Sequence, residues 1–220
     1  MNKIIKDACI LFAITLVAGI VLGAVYNITK GPIAEQNEKA KQTAYREVLS
    51  DADSFEAIDS EKYSEANLAA LVPGLKDTEE DFSKDEVTDV VAGVKNGKIV
   101  GFVITVVAGD GYGGDIKFST GISSDGKYMG TSILSISETA GLGMRAKTDP
   151  AFLAQFNGAS VDKFTVVKDG TGSSSEDKID AIGGSTVTSK AVTKGINTAL
   201  AVFKELKSEN VKTVGGASIE

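Results

Sequence analysis

From Ala8 to Ile28 the chain reads ACILFAITLVAGIVLGAVYNI, 21 residues without a charged side chain. At about 1.5 Å per residue such a helix covers roughly the 30 Å hydrocarbon core of a bilayer, so the pattern predicts one membrane-spanning helix. A cleaved signal peptide is the competing reading, with Lys3 and Lys6 as its basic region and Leu22-Gly23-Ala24 as a small-residue site. The apolar stretch is longer than the roughly 7–15 residues of such a segment, which favours a retained anchor. Pro32 then fits the first position of a helix. Ile33, Asn37, Ala40, Lys41, Ala44, Val48 and Leu49 follow at helical spacing with few large apolar groups, which predicts a stalk leading off the membrane. Residues 50–85 are acidic and polar, interrupted by apolar insets such as LAALVPGL.

From Val87 the apolar period becomes that of a strand. VTDVVAGV and KIVGFVITVVA flank Asn96-Gly97, a pair that accepts the positive φ angles of a type I′ turn, so the two predict a β-hairpin. DIKFSTGIS and YMGTSILSIS, joined at Asp125-Gly126, predict a second hairpin, and together they make a four-stranded antiparallel sheet. Asp149-Pro150 opens a short helix, DPAFLAQF, that stops at Asn157-Gly158, and KFTVVK is a further strand. Past Thr188, the residues Val192, Ile196, Ala199, Leu200, Phe203 and Leu206 form the apolar stripe of a long amphipathic helix. The expected fold is α+β, a single N-terminal transmembrane helix followed by an antiparallel-sheet domain with flanking helices. Its divisions are 1–30 for the N-terminal tip and membrane helix, 31–85 for the stalk helix and acidic connector, and 86–220 for the sheet domain.

Charge and missing residue types narrow the chemistry. The net charge is −7 over 220 residues, and the first thirty hold Lys3, Lys6 and Lys30 against Asp7 alone, so the remainder is more acidic still. Nucleic-acid binding, which needs Lys and Arg to neutralise phosphates, is disfavoured. There is no His, which removes a Ser-His-Asp triad, an imidazole base and His-ligated haem or zinc. Cys9 is the sole cysteine, so neither an internal disulfide nor a Cys-ligated iron–sulfur cluster can form; at the membrane edge it reads as a small apolar residue. Redox chemistry, if any, must come from an organic cofactor. Lys3, Lys6 and the amino terminus favour a cytoplasmic start, which puts the sheet domain outside the cytoplasm.

Glycine-rich stretches fall at Gly109–Ile116 (GDGYGGDI), Glu138–Ala146 (ETAGLGMRA) and Gly183–Thr186 (GGST), each between regular elements. Singly each reads as a turn; three together suggest loops where backbone approaches a ligand. The last runs into AIGGSTVTSKAV, Ala181–Val192, which crowds Ser185, Thr186, Thr188 and Ser189 at the mouth of the final helix. Free N–H groups and the positive dipole end there favour a phosphate by about 0.3–1 kcal/mol, whereas an ordinary N-cap needs one hydroxyl. The Gly-x-x-x-x-Gly-Lys-Ser/Thr order of a nucleotide P-loop is absent.

DAIGGSTVTSKAV resembles the flavinylation motif of the FMN-binding domain family, Asp-x-x-Ser/Thr-Gly-Ala-Ser/Thr-x-Thr, whose last Thr is esterified to the phosphate of FMN. The resemblance implies covalent FMN on Thr188 through a phosphoester, with Asp180, Gly184 and Thr186 at matching positions; Gly183 replaces the usual hydroxyl residue and Ser185 the usual Ala. Ser185 and Ser189 stand beside Thr188 as other hydroxyls that could accept the flavin. GYGGDI and SETAGLG are similar to two further family loops, which implies that Tyr112 and Glu138, Thr139, Gly141, Leu142 and Gly143 line the flavin. Read from the residues alone, Glu138 is equally a solvated strand-end charge and Asp180 a turn residue. The N-terminal helix ending in VYNITKGPI resembles the anchor of the G subunits of Rnf electron-transport complexes. That likeness implies a single-pass subunit of the cell (inner) membrane, assembled with Rnf subunits A, B, C, D and E. It also implies maturation by a flavin transferase that uses FAD. The function implied is electron relay in an ion-translocating ferredoxin:NAD+ oxidoreductase, coupled to Na+ or H+, in which the chain acts as a subunit and not as an enzyme alone. Two other readings are the C subunit of a sodium-pumping NADH:quinone reductase, which shares the motif, and a noncatalytic anchored binding module.

Overall fold

The computed structural model describes residues 3–75 and 81–219; residues 1–2 of the expected tip, 76–80 of the acidic connector and 220 at the end of the sheet domain lie outside the described residues. The chain forms two compact units, Met1–Gln42 and Thr43–Glu220.

The first unit is helical. Helix α1, Lys3–Val48, contains an 18-residue window of mean hydropathy 2.7, and its large apolar side chains, Phe12, Leu22 and Ile28 among them, are exposed. It is long and apolar enough to cross a membrane. Polar side chains inside the apolar run turn back on the helix: Thr15 Oγ1 donates to the Leu11 and Phe12 carbonyls, and Asn27 Nδ2 to that of Gly23. Pro32 lies within α1 and does not open a separate stalk helix. A proline deprives the helix of one main-chain donor, and here helical geometry continues on both sides of that single gap.

The second unit begins earlier than a stalk-and-connector division at 31–85 suggests. Tyr45, Val48 and Leu49 are buried, and β1, Ser54–Ala57, adds a fifth strand by pairing antiparallel with β2 from Ser54↔Val94 to Ala57↔Val91. Short 3-10 turns at Glu61–Tyr63 and Leu68–Ala70 lead through α2, Leu71–Gly74, to the two hairpins expected from the sequence. Strands β2, Asp85–Lys95, and β3, Lys98–Ala108, join at Asn96 and Gly97, with φ of 51° and 74°. Strands β4, Ile116–Ser123, and β5, Tyr128–Ser135, close at Gly126. Sheet order is β1-β2-β3-β4-β5, antiparallel throughout.

Both sheet faces are covered, which is why β3 reads as an almost unbroken apolar run. On one face Phe102, Ile104 and Val106 join Phe118, Ile196, Leu200 and Phe203 in the main core; on the other, Val103 packs with Tyr45, Val48 and Leu49. Each fully buried large apolar side chain contributes about 1.5–3 kcal/mol. After the sheet come α3, Arg145–Thr148, and α4, Pro150–Ala154, the latter capped by Asp149, whose side chain accepts from Ala151 N at 3.1 Å. Strand β6, Thr165–Val167, pairs in parallel with β7, Lys178–Asp180, a three-residue strand too short to leave an alternation in the sequence. Helix α5, Thr186–Ser208, buries its stripe against β3 and β4. Asn197 of α5 ties the approach to β6: its side chain accepts from Phe164 N at 2.8 Å and donates to Phe164 O at 3.0 Å.

Candidate functional site

The mouth of α5 is built by a turn and a serine clamp. Gly184, at φ +78°, reverses the chain, and Ser185 N donates to Ile182 O at 2.8 Å. Ser189 Oγ accepts from Ile182 N and donates to Ser185 O, both at 2.9 Å. That hydroxyl is fully buried and fastens the turn to the helix, so it is committed to the fold and not to a ligand. Ser185 behaves oppositely. It precedes the first helical residue but makes no side-chain cap, and its buried Oγ has no hydrogen-bond partner among the described residues. Thr186 is half-buried, and Val187 is exposed. The first intrahelical bond to the cap carbonyl comes from Ser189 N, leaving the N–H groups of Thr186, Val187 and Thr188 as open donors among the described residues.

Thr188 lies against the second glycine-rich stretch, which itself contacts the other two. It is 1% exposed and lies under Gly143: a Cβ on that glycine would fall 2.6 Å from Thr188 Oγ1, 2.6 Å from Glu138 Oε2 and 2.8 Å from Glu138 Cβ. Only a residue without a side chain permits this approach. Glu138 Oε1 in turn accepts from Tyr112 N at 2.7 Å and Gly113 N at 3.2 Å. The carboxylate therefore staples the 109–114 loop to the 138–143 loop directly beside the Thr188 hydroxyl. Thr139 O accepts from Leu142 N and Met144 N, which curls the second loop, and Leu142 reaches Gly184, where an added Cβ would meet its Cδ2 at 3.2 Å. Gly141, at φ +75°, is at the exposed tip.

Tyr112 enters through its main chain; its ring is 74% exposed. Asp180 sits apart from the Glu138 staple. Its Oδ1 accepts from Gly172 N at 3.0 Å, while its own N–H and carbonyl engage the side chain of Gln155 at 2.8 and 3.2 Å. It lines a groove of about 610 Å3 with Arg145, Asp149, Ile182 and Gly183, the last open to solvent on its Cβ side. Gln155 and Ser189 thus hold the motif in place; Gln155 carries no signal in the sequence, and Ser189 stands out there only as one of the crowded hydroxyls, since both act through main-chain groups brought near only by folding.

Charge is managed at the first loop. Asp110 accepts from Lys194 of α5 at 2.6 Å and from Lys84 at 2.7 Å, and these ammonium groups, Lys194 first, hold its carboxyl below the usual range. Asp85, at the start of β2, is buried, which pushes its carboxyl up; Thr198 Oγ1 donates to it at 2.7 Å and offsets part of that cost. An open helix N-terminus, an unpartnered buried hydroxyl and close backbone approach are what a phosphate-bearing ligand needs, and they coincide at Thr188.

Residues 111–201 match the FMN-binding domain family, and residues 1–48 match the RnfG N-terminal region. The chain is 36% identical over 203 residues to the G subunit of the Na+-translocating ferredoxin:NAD+ oxidoreductase complex of Acetobacterium woodii, covering 92% of this chain and 93% of that one. It is 33% identical over 202 residues to the G subunit of the proton-translocating ferredoxin:NAD+ oxidoreductase complex of Clostridium ljungdahlii, covering 89% and 92%. Among solved structures it resembles NqrC of Shewanella oneidensis, with TM-score 0.52 at 18% identity over 80% of this chain and 99% of that chain. It also resembles the C subunit of the Na+-translocating NADH-quinone reductase of Parabacteroides distasonis, with TM-score 0.54 at 20% identity over 79% and 93%. At that identity the two structures speak to the fold alone.

Proposed function

The chain belongs to the G subunits of ion-translocating ferredoxin:NAD+ oxidoreductase complexes, with an FMN-binding domain, and on that premise we propose that it is a membrane-anchored electron carrier holding FMN as a phosphoester of Thr188. The residues fit the group. Three open N–H donors and the unpartnered Ser185 hydroxyl face a phosphate-sized need, and Gly143 leaves the backbone close to Thr188. FMN supplies the electron transfer that a chain without His and with one Cys cannot perform through its own side chains. Thr188 tethers it, Gly184 shapes the turn, Thr186 and Ser185 flank the phosphate, and Leu142 with the Glu138–Gly143 loop and the exposed Tyr112 ring bounds the rest. Asp180 holds the floor of the motif through Gly172 and Gln155.

The anchor is α1, retained and not cleaved, with Lys3 and Lys6 in the cytoplasm and the sheet unit outside; the match of residues 1–48 to the N-terminal region of this family supports retention. The ester tether keeps the cofactor from loss on the outer side of the membrane. The partners are the other Rnf subunits, A to E, which hold the ferredoxin and nicotinamide sites and couple electron flow to Na+ or H+ movement. A separate flavin transferase installs the FMN. The single observation that carries the reading is the close approach of Thr188 Oγ1 and Glu138 to Gly143, with Glu138 in turn binding the main chain of the first glycine-rich stretch. The test is a denaturing gel viewed under ultraviolet light after production alongside the transferase. The intact chain fluoresces and Thr188→Val is dark; a dark wild-type band refutes the ester, and a fluorescent Thr188→Val band refutes its position.

A further inference from the structure

We propose that Lys194, paired with Asp110 in the groove between α5 and the approach to β6, sets the reduction potential of the flavin by opposing the negative charge that reduction brings. This rests on the Thr188 ester reading above, which puts the cofactor at the start of the same helix. The groove, of about 640 Å3, is lined on α5 by Val187, Lys190 and Lys194, on the approach to β6 by Lys163 and Phe164, and at the first glycine-rich stretch by Asp110. Three lysines against one aspartate give these residues a positive balance in a chain whose net charge is −7. The buried Thr193 hydroxyl, without a hydrogen-bond partner among the described residues, belongs to the same lining and is not committed to the fold.

Lys163 and Lys190 are exposed, whereas the Lys194 side chain is 15% exposed and its Nζ meets Asp110 Oδ2 at 2.6 Å. Asp110 has a second cation, Lys84 Nζ at 2.7 Å, on a side chain that is 68% exposed. The trio carries a net positive charge, and Lys194 supplies the part of it that water screens least. Lys194 stands six positions beyond Thr188 on α5, about 9 Å along the helix axis. That is about a Debye length at physiological salt, so its charge is felt at the tether. Asp110 is joined to the site through its own loop, where Tyr112 N and Gly113 N bind Glu138 beside Gly143. Reduction by dithionite above neutral pH delivers two electrons, with dithionite oxidised to sulfite, and draws one proton from water. The flavin ends one charge more negative. A nearby cation stabilises that state and raises the potential, and a nearby carboxylate lowers it.

Lys194→Met and Asp110→Asn break the same ion pair but remove opposite charges. Lost packing or a displaced loop would move the potential the same way in both, whereas charge moves it in opposite directions. The experiment is a dye-mediated reductive titration of the full-length protein in detergent, produced alongside the transferase and followed by flavin absorbance at low and high salt, with thermal melting by circular dichroism alongside. Lys194→Met is expected to have a lower midpoint than wild type, Asp110→Asn a higher one and Lys194→Arg the same one, and added salt to shrink both shifts. Lys190→Met removes an exposed charge outside that ion pair and is expected to lower the midpoint by less. Should Lys194→Met not fold, Lys190→Met against Asp110→Asn carries the same comparison. Shifts of one sign, or midpoints that do not move while the flavin is retained, overturn the proposal and leave the ester reading standing. Wild-type protein that keeps no flavin on denaturation overturns the Thr188 ester itself, and this inference with it.

Discussion

Replacing Gly143 by Ala sets two effects of opposite sign against each other. The backbone at Gly143 lies outside the positive-φ region, so chain entropy alone would make Ala stabilising by about 0.4–1 kcal/mol. The new methyl, however, would meet Thr188 Oγ1 and Glu138 Oε2 at 2.6 Å and Glu138 Cβ at 2.8 Å. A carboxylate end could usually swing aside, but this one is held by Tyr112 N and Gly113 N, and the Glu138 Cβ cannot retreat without its backbone. Overpacking of this kind costs about 1–3 kcal/mol, so the net effect is destabilising by ~1–2 kcal/mol. For a folded unit of this size that lowers the melting temperature by about 2–8 °C. Thermal unfolding of the full-length protein in detergent reads it, with Gly183→Ala as the matched control, since a Cβ there meets nothing within 4 Å and the entropy gain alone should raise the transition slightly. If Thr188 carries the flavin as proposed, the same methyl crowds its hydroxyl and should slow flavin incorporation. A Gly143→Ala protein that melts at or above wild type and takes up flavin at the wild-type rate would refute the close approach on which the site rests.

Two further outcomes test the frame behind the site. Asn197→Ala leaves Phe164 N and O without partners in the interior, at about 1–3 kcal/mol for each buried group so exposed, and urea unfolding should show a midpoint lowered well beyond that of a surface substitution. Asp85 is a buried carboxyl with its pKa raised, so the folded state binds its proton more tightly than the unfolded chain and wild-type stability falls as pH rises above the ordinary carboxylate range. Asp85→Asn removes that titration. Its stability relative to wild type should therefore increase from acidic to neutral pH, and a difference that is flat or declines over that range contradicts the assignment.

What could be read from residue order alone were features set by local periodicity and turn chemistry. The charge-free run at Ala8–Ile28, the Asn96-Gly97 turn, the two hairpins and the stripe of the last helix each depend on neighbours within a few positions, and the structure contains all of them. The crowding of hydroxyls at Ser185–Ser189 was likewise visible, together with the family motif that points to Thr188. Their division of labour was not. Ser189 closing the turn and Ser185 left unpartnered differ only in which main-chain groups folding brings within reach. The same holds for β1, a short edge strand that exists because β2 offers it a ladder, and for β7, three residues paired in parallel with β6. Pro32 marks the limit of local rules from the other side, since a residue that suits a helix start was carried inside one continuous helix. Above all, the contact of Glu138 with Tyr112, Gly113 and the surroundings of Thr188 joins segments 26 and 50 residues apart. No pattern along the chain encodes such a meeting, because side-chain periodicity reports which face is buried, while the partner across that face is chosen by how the sheet and helix pack.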